Sequence, residues 1–468
     1  MEQRRFYNEI LKYSVTAKCT EPLHIGSASG AKEEVLVHPV DDIPFIQATS
    51  IAGAFRGYYE QTYGEKKAAE LFGHRKFKEK TDNEDLDIEL EHESKIRFTD
   101  GVFLNNEKLI IELRPRVSIN KQMGTCETSC DEKTKRESGH KFNMEYISAG
   151  GEFKFCVYLY GVSEQEKKEV EDIFSALNNE SLQFGGQKSN GCGYFKIEKL
   201  LCRDFDMTNS KDRDQWAMED ELPEKAYKNL TSLFAKTSCS KNAYTIKVDA
   251  YTESTLLVKS IAITDGGTGK EVPDCENIKN GDGDYIVPGS SFKGAVRAQM
   301  ERIASYLDCF ELIDDAFGQK SNAEIQGSTG NLYFFDTVVG KPKNDAQTLI
   351  SHRIHIDKFT GGVIHGGLFS EKNVAGSMSI RIAIKNNKSA DIADKVCGLL
   401  IMALRDLAIG AMSVGGGYSV GKGILSVKKI VIDKNSNPKK QAEIDFSQKK
   451  IFDKDEIIKA CLTSVQEG

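Results

Sequence analysis

Tyr285-Ile286-Val287-Pro288-Gly289-Ser290-Ser291-Phe292-Lys293-Gly294-Ala295-Val296-Arg297 reads as a short apolar strand that turns through Pro-Gly into a helix. The same shape stands earlier in the chain as Pro44-Phe45-Ile46-Gln47-Ala48-Thr49-Ser50-Ile51-Ala52-Gly53-Ala54-Phe55-Arg56. Outward from this pair, Leu71-Phe72-Gly73 answers Ala316-Phe317-Gly318, and Ile96-Arg97-Phe98-Thr99-Asp100 answers Leu332-Tyr333-Phe334-Phe335-Asp336. Arg116-Val117-Ser118-Ile119-Asn120-Lys121 answers Arg353-Ile354-His355-Ile356-Asp357-Lys358, and Ala149-Gly150-Gly151 answers Ala375-Gly376-Ser377. Both halves close on a glycine-rich loop before a strand, Gly185-Gly186-Gln187-Lys188-Ser189-Asn190-Gly191-Cys192-Gly193-Tyr194 and Gly415-Gly416-Gly417-Tyr418-Ser419-Val420-Gly421-Lys422-Gly423. Several matches in one order at similar offsets identify a duplicated module.

Each copy predicts the same elements. An alternating strand near residues 13–19 or 244–250 leads into a long polar loop, a helix and a strand pair. A second helix follows, opening at Ser163 with Glu166 in a capping box, its counterpart spanning 390–409; a strand after the glycines ends the copy. That order is the split βαβ pattern, so the expected class is α+β, two tandem ferredoxin-like (RRM-like, βαββαβ) modules. The expected domains are residues 1–203, with an insertion near 120–145, and 243–435, with an insertion near 358–374. A linker at 204–242 carries one short helix at 224–235, and 436–468 is a polar or helical extension.

The 468 residues are 39 % hydrophobic and 28 % charged, and no apolar run approaches the ~20 residues of a membrane span. The start, Met1 to Phe6, lacks a signal-peptide core, and eleven cysteines, mostly isolated, read as reduced thiols, so a cytoplasmic location is expected. The formal net charge of −7 excludes a general nucleic-acid binder and leaves only local basic stripes for such a role.

Those stripes recur at matching places. Ser290 and Ser291 can cap a helix whose free amides and positive end suit a phosphate, with Lys293 and Arg297 one turn apart on it. The first module has Thr49, Ser50 and Arg56 there but Ala52 in place of Lys293, so a weaker grip is expected. Gly185, Gly186, Gly415, Gly416 and Gly417 let backbone approach a ligand, beside Lys188, Ser189, Ser419 and Lys422. Tyr194 and Tyr418 either stack on bases or pack within a sheet. Cys126, Cys130 and His140 have the types and spacing of a structural Zn²⁺ site without an evident fourth ligand, free thiols being the alternative. His24, His38, His352 and His355 are not repeated between the halves, and no second base pairs with His24.

Taken with these motifs, the chain resembles the RAMP superfamily, whose members coat the guide RNA of type III CRISPR defence complexes. The resemblance runs from about Leu11 to Arg203 and from about Ala243 to Ile432; the tandem arrangement is similar to subtype III-D backbone subunits. It implies guide RNA, complementary target RNA, neighbouring RAMP subunits and the large subunit as partners, with Arg116, Arg353 and Lys358 joining the RNA-binding candidates above. It also implies that the insertions form thumb-like hairpins, with Met123 in the first and Phe359 or Ile364 in the second as wedge candidates. Family members that cut target RNA use one aspartate in the loop after the first strand, with a divalent metal, Mg²⁺. Asp274 falls nearest that position, Asp265 and Glu276 are reserves, and the first module has Glu33 there. A non-cutting scaffold and a nuclease trimming guide precursors are the competing readings.

Overall fold

The computed structural model describes residues 7–26, 33–73, 93–105, 107, 109–120, 141–219, 222–234, 242–260, 272–321, 327–386, 389–436 and 438–466, with backbone alone at 128–130, 137–139 and 261. The first half runs β1 (Glu9–Cys19), α1 (Ala48–Tyr63), α2 (Glu65–Phe72), β2 (Ile96–Phe98) and β3 (Gly101–Leu104). A two-stranded pair follows, β4 (Ile111–Val117) and β5 (Lys141–Ile147), then β6 (Glu152–Tyr160), α3 (Glu164–Asn178), β7 (Phe195–Asp206) and α4 (Ser210–Ala217). The second half runs β8 (Asn242–Thr252), β9 (Lys259–Ile261), β10 (Cys275–Asn277), α5 (Gly289–Leu307), β11 (Leu332–Phe334), β12 (Gln347–Ile356) and β13 (Val363–Ala375). It closes with β14 (Ser377–Lys385), α6 (Ala390–Ala408), β15 (Leu425–Lys434), β16 (Lys440–Asp445) and α7 (Ile457–Gln466).

Contacts divide the chain into two compact units. One comprises Met1–Ile110, Tyr146–Gly186 and Cys192–Ser240; the other comprises Ile111–Glu145, Gln187–Gly191 and Lys241–Gly468. In the first unit β7, β1 and β6 lie side by side, with β2 and β3 both on the far edge of β6, all antiparallel. In the second the order is β11-β14-β8-β15-β16, also antiparallel. The central four-strand arrangement is the same in both, so the molecule is α+β and built from two ferredoxin-like modules, as the repeat predicts.

Residue type explains the elements. Strand β8 alternates buried Tyr244, Ile246, Val248 and Ala250 with outward Lys247, Asp249 and Tyr251, the period of a sheet with one face in the core. Helix α3 opens with the predicted capping box, Glu166 N donating to Ser163 Oγ and Ser163 N to Glu166 Oε2, a device that contributes ~1 kcal/mol. The first core is rich in aromatics, Tyr13, Phe55, Phe153, Phe155, Phe174 and Phe184, whereas the second is mostly aliphatic around Ile246, Val296, Met300, Ile382 and Leu404.

Two expectations change. The linker holds α4, a single 3-10 turn at Glu224–Ala226 and a four-residue helix at Thr231–Phe234 instead of one helix at 224–235, because the short Lys228–Asn229 strand interrupts it. The second insertion is a hairpin, as the resemblance implies: β12 and β13 pair antiparallel over a long stretch. The C-terminal extension adds β16 to the sheet edge and lays α7 on α6, where Gly398 lets the helices touch; a Cβ there would stand 2.1 Å from the Cys461 carbonyl oxygen.

Candidate nucleic-acid interface

The Pro-Gly-Ser-Ser helix starts two residues earlier than capping by Ser290 requires. Pro288 occupies the cap with no side-chain hydrogen bond, so Ser290 and Ser291 lie within the first turn of α5. The cap comes from elsewhere in the repeat: Gly289 N donates to Asp336 Oδ1 at 2.9 Å, and in the first unit Ala48 N donates to Asp100 Oδ1 at 2.7 Å, leaving Ser50 inside α1. A carboxylate therefore already satisfies one amide at each positive helix end. Phosphate affinity at this place must come from side-chain cations.

Such cations converge in the second unit. Lys293 donates to Ser189 Oγ at 2.7 Å, and Arg116 donates to Gln187 Oε1 at 3.0 Å. Arg297 and Arg116 both act on the Lys293 charge. Burial first and these two like charges next push its pKa down to about 8. Arg297 is partly offset by Glu301, 2.9 Å away and one turn on. Arg116, Ser189, Lys293 and Arg297, four residues singled out in the sequence, are thus one basic cluster whose own charges repel, a state that an anion relieves. Arg56, the counterpart in the first unit, instead donates to the Gly73 carbonyl at 3.4 Å.

A buried chain lies behind α5. Arg114 pairs with Glu112 at 2.5 Å and with Asp336 at 2.6 Å, and Glu112 in turn accepts from Gly281 N at 2.7 Å. Strand β4 is therefore inverted, with Glu112 and Arg114 buried and Ile111 and Leu113 exposed. The alternating Ile-Glu-Leu-Arg pattern carried this information, but period two alone does not say which face is inward.

A second cluster surrounds Glu371, which is 2 % exposed. Lys422 reaches it at 2.6 Å, Lys259 at 2.9 Å and Arg353 at 3.3 Å, and Lys422 also donates to Asn373 Oδ1. Burial would raise the Glu371 pKa, but the Lys422 and Lys259 hydrogen bonds outweigh it and hold the carboxyl below its usual range. Three cations around one carboxylate leave a surplus of positive charge, exposed chiefly at Lys259. Lys422 differs from its expected place beside the glycine loop: it is buried and turned into the protein. Neither Glu371 nor Lys259 stood out in the sequence, lying in strands with no counterpart motif in the first half.

The glycine loops are built alike in both units. Gly415 has φ +82° and Gly423 φ +75°; a Cβ on them would meet the Leu257 oxygen at 2.6 Å and the Val414 oxygen at 2.1 Å. Gly185 and Gly193 stand likewise against His24 and Phe184. These glycines are demanded by the protein's own backbone. Gly416 and Gly186 donate their amides to Leu257 and His24. The turn beyond presents Tyr418 and Ser419 to solvent, as the first loop presents Lys188, whereas Tyr194 is fully buried. His24 is buried and lies against Tyr146, a packed histidine.

Asp274 is exposed just before β10. Its Oδ2 accepts from Ser370 N at 2.6 Å and Ser370 Oγ at 3.0 Å, and these bonds, backbone first, hold its pKa below the usual range. Glu276 is paired with Lys279 at 3.0 Å and faces Lys372 at 3.9 Å. The two modules align here through matching backbone bonds, Leu36 N to Ile25 O and Ile278 N to Val258 O. That register sets Glu34 opposite Glu276 and Glu33 opposite Cys275, so the pairing of Glu33 with Asp274 is one residue off, because the turn after Asn280 is one residue shorter than that after His38. At the hairpin tip, Asp357 Oδ1 accepts from the Phe359 and Thr360 amides, leaving Lys358 exposed and Phe359 99 % exposed; Ile364 is half exposed on β13. Asp265, Met123, Cys126 and His140 lie outside the described residues, and Cys130 is described by backbone alone. Among the described residues no three His, Cys, Asp or Glu side chains converge as a metal site, and no helix is long and apolar enough to cross a membrane.

No curated protein matches the chain. Among solved structures, the Type III-B Cmr-beta bound to cognate target RNA overlaps 42 % of this chain and 61 % of its own, with 17 % identity and a TM-score of 0.30. The chain thus spans about three fifths of that relative's length, and so loose a likeness says nothing of site or ligand. The RAMP superfamily profile matches residues 16–196 and 255–426, in each module from the first strand's end through the glycine loop into the last strand. With both halves matched and both folded as ferredoxin-like modules, this chain belongs to the RAMP superfamily.

Proposed function

We propose that the chain binds a guide RNA and its complementary target as a backbone subunit of a type III CRISPR effector ribonucleoprotein, beside other RAMP subunits and the large subunit. The observation that carries this reading is the Arg116–Lys293–Arg297 cluster, assembled from motifs of both halves in a protein of acidic net charge. Phosphates spaced along a strand suit such isolated cationic clusters. Phe359, held out at the hairpin tip, is a wedge for adjacent bases.

Within this reading the second module cuts target RNA through Asp274. The aspartate is ionised and exposed, both Ser370 bonds fall on Oδ2, and Lys259 and Arg353 nearby neutralise a phosphate while Asp274 orients the ribose 2′-hydroxyl. One carboxylate oxygen with phosphate and water fits Mg²⁺, which keeps several waters and needs few protein ligands. The ion would supply Lewis acidity toward the phosphoryl oxygen.

A non-cutting scaffold is the second reading, favoured by the same Ser370 bonds, which also tie Asp274 into the β-structure. In the assembled complex with Mg²⁺ and a guide-complementary RNA, Asp274→Ala is expected to remove one specific cut with binding intact, while Glu34→Ala leaves every cut in place. Survival of all cuts in Asp274→Ala overturns the Asp274 assignment, leaving the scaffold or cutting through a neighbouring carboxylate such as Asp265.

A further inference from the structure

The outward face of the first unit's sheet is not an ordinary polar surface. Register sets Arg203, Lys12, Tyr158 and Arg97 in one row across β7, β1, β6 and β2. Lys12 and Arg97 both lie over the Tyr158 ring, at 5.5 and 5.6 Å, and Arg203 lies 5.3 Å from the Phe205 ring on the same face. Basic side chains interleaved with aromatic rings on an open sheet are the chemistry that holds single-stranded nucleic acid, charge on the backbone and rings against the bases.

In this structure the linker covers that face. Trp216 of α4 meets Tyr158 at 5.7 Å and Phe205 at 5.2 Å, both edge-on. Glu219 pairs with Lys12 at 3.0 Å and accepts from the Tyr158 hydroxyl at 3.1 Å. Burial alone would lower the Lys12 pKa, but the Glu219 carboxylate raises it, so the buried ammonium depends on an anion placed there. Helix α4 itself has no buried residue, and the linker is rich in Asp and Glu from 204 to 224. The cover is held mainly by polar bonds, Arg203 reaching Asp212 at 3.6 Å and donating to Gln215 besides the Glu219 contacts, and its charge is complementary to the sheet.

We propose that this face is a concealed platform for single-stranded nucleic acid, and that linker residues 207–219 are a lid that imitates the strand, Trp216 standing where a base stacks and Glu219 where a phosphate sits. The platform is separate from the Arg116–Lys293–Arg297 cluster and does not depend on the function assigned to that cluster. Opening the lid exposes Tyr158 and Phe205 and leaves Lys12 in need of a new anion.

The test uses the full chain and a labelled, unstructured twelve-nucleotide oligouridylate, in a Lys293→Ala background so that the other cluster contributes little. Trp216→Ala with Glu219→Gln is expected to tighten binding about five- to tenfold, the worth of roughly one base stack, and to steepen the salt dependence. Adding Arg97→Gln, at an exposed position that the fold does not need, reverses part of the gain, and Tyr158→Leu reverses the rest. The lone tryptophan also gives a readout in the unsubstituted lid, since Trp216 emission shifts to the red as strand displaces it. No tightening in a variant with unchanged circular dichroism overturns the proposal, as does a gain that survives both Arg97→Gln and Tyr158→Leu.

Discussion

Lys293 is where the sequence motif becomes a titratable site. Burial and the neighbouring arginines bring its pKa to about 8, so it is mostly charged at pH 7 and mostly neutral at pH 9. RNA affinity is expected to fall as pH rises through 8, and Lys293→Arg, charged throughout, flattens that profile; a fluorescence titration at pH 7, 8 and 9 checks it. The stability effect has the opposite sign. Between about 8 and the ordinary lysine range near 10.5 the unfolded chain binds more protons than the folded one, so stability rises with pH across that window and Lys293→Met removes the rise. The proximity of Lys293 and Arg297 was legible from one helix turn, but the place of Lys422 was not: a lysine beside glycines looks solvent-facing, and only the fold reveals Glu371 and Asn373 beneath it. Ser290 and Ser291 failed as caps for a similar reason, because Asp336, remote in sequence, supplies the acceptor.

At the scale of elements, the glycine loops separate two uses of one residue type. Gly423 is required by the Val414 carbonyl, whereas Gly416 has 3.7 Å of clearance from Leu257 O. Gly423→Ala is expected to cost at least ~1–2 kcal/mol from its left-handed backbone alone and to lower the melting temperature, while Gly416→Ala leaves melting unchanged. If Gly416→Ala also weakens RNA binding, close backbone approach to the ligand is what that glycine provides; calorimetry beside a binding titration reads both. Strands, helices and the capping box followed from periodicity because each has a buried face of its own. The hairpin of β12 and β13 did not, since Ile354, Ile356, Val363 and Leu368 are exposed and its alternation marks no core.

At the scale of the molecule, the repeat made the two modules legible but not how their parts are shared. Residues 111–145 and 187–191 come from the first copy and belong to the second compact unit, where Arg114 neutralises Asp336 and Ser189 receives Lys293. A fragment of residues 241–468 is therefore expected to melt below the corresponding transition of the full chain, and Asp336→Asn, which relieves the stranded charge, recovers part of the difference; a melting temperature equal to that in the full chain refutes this sharing. The sharing bears also on the gene's history. Two identical copies can be lost, split or reshuffled freely, but once one copy's strand and loop partner the other's buried charges, a break between them leaves those charges stranded. The duplication became a ratchet, and the differences that accumulated afterwards, lysine in one copy where alanine stands in the other, are specialisations that only a fused gene can keep.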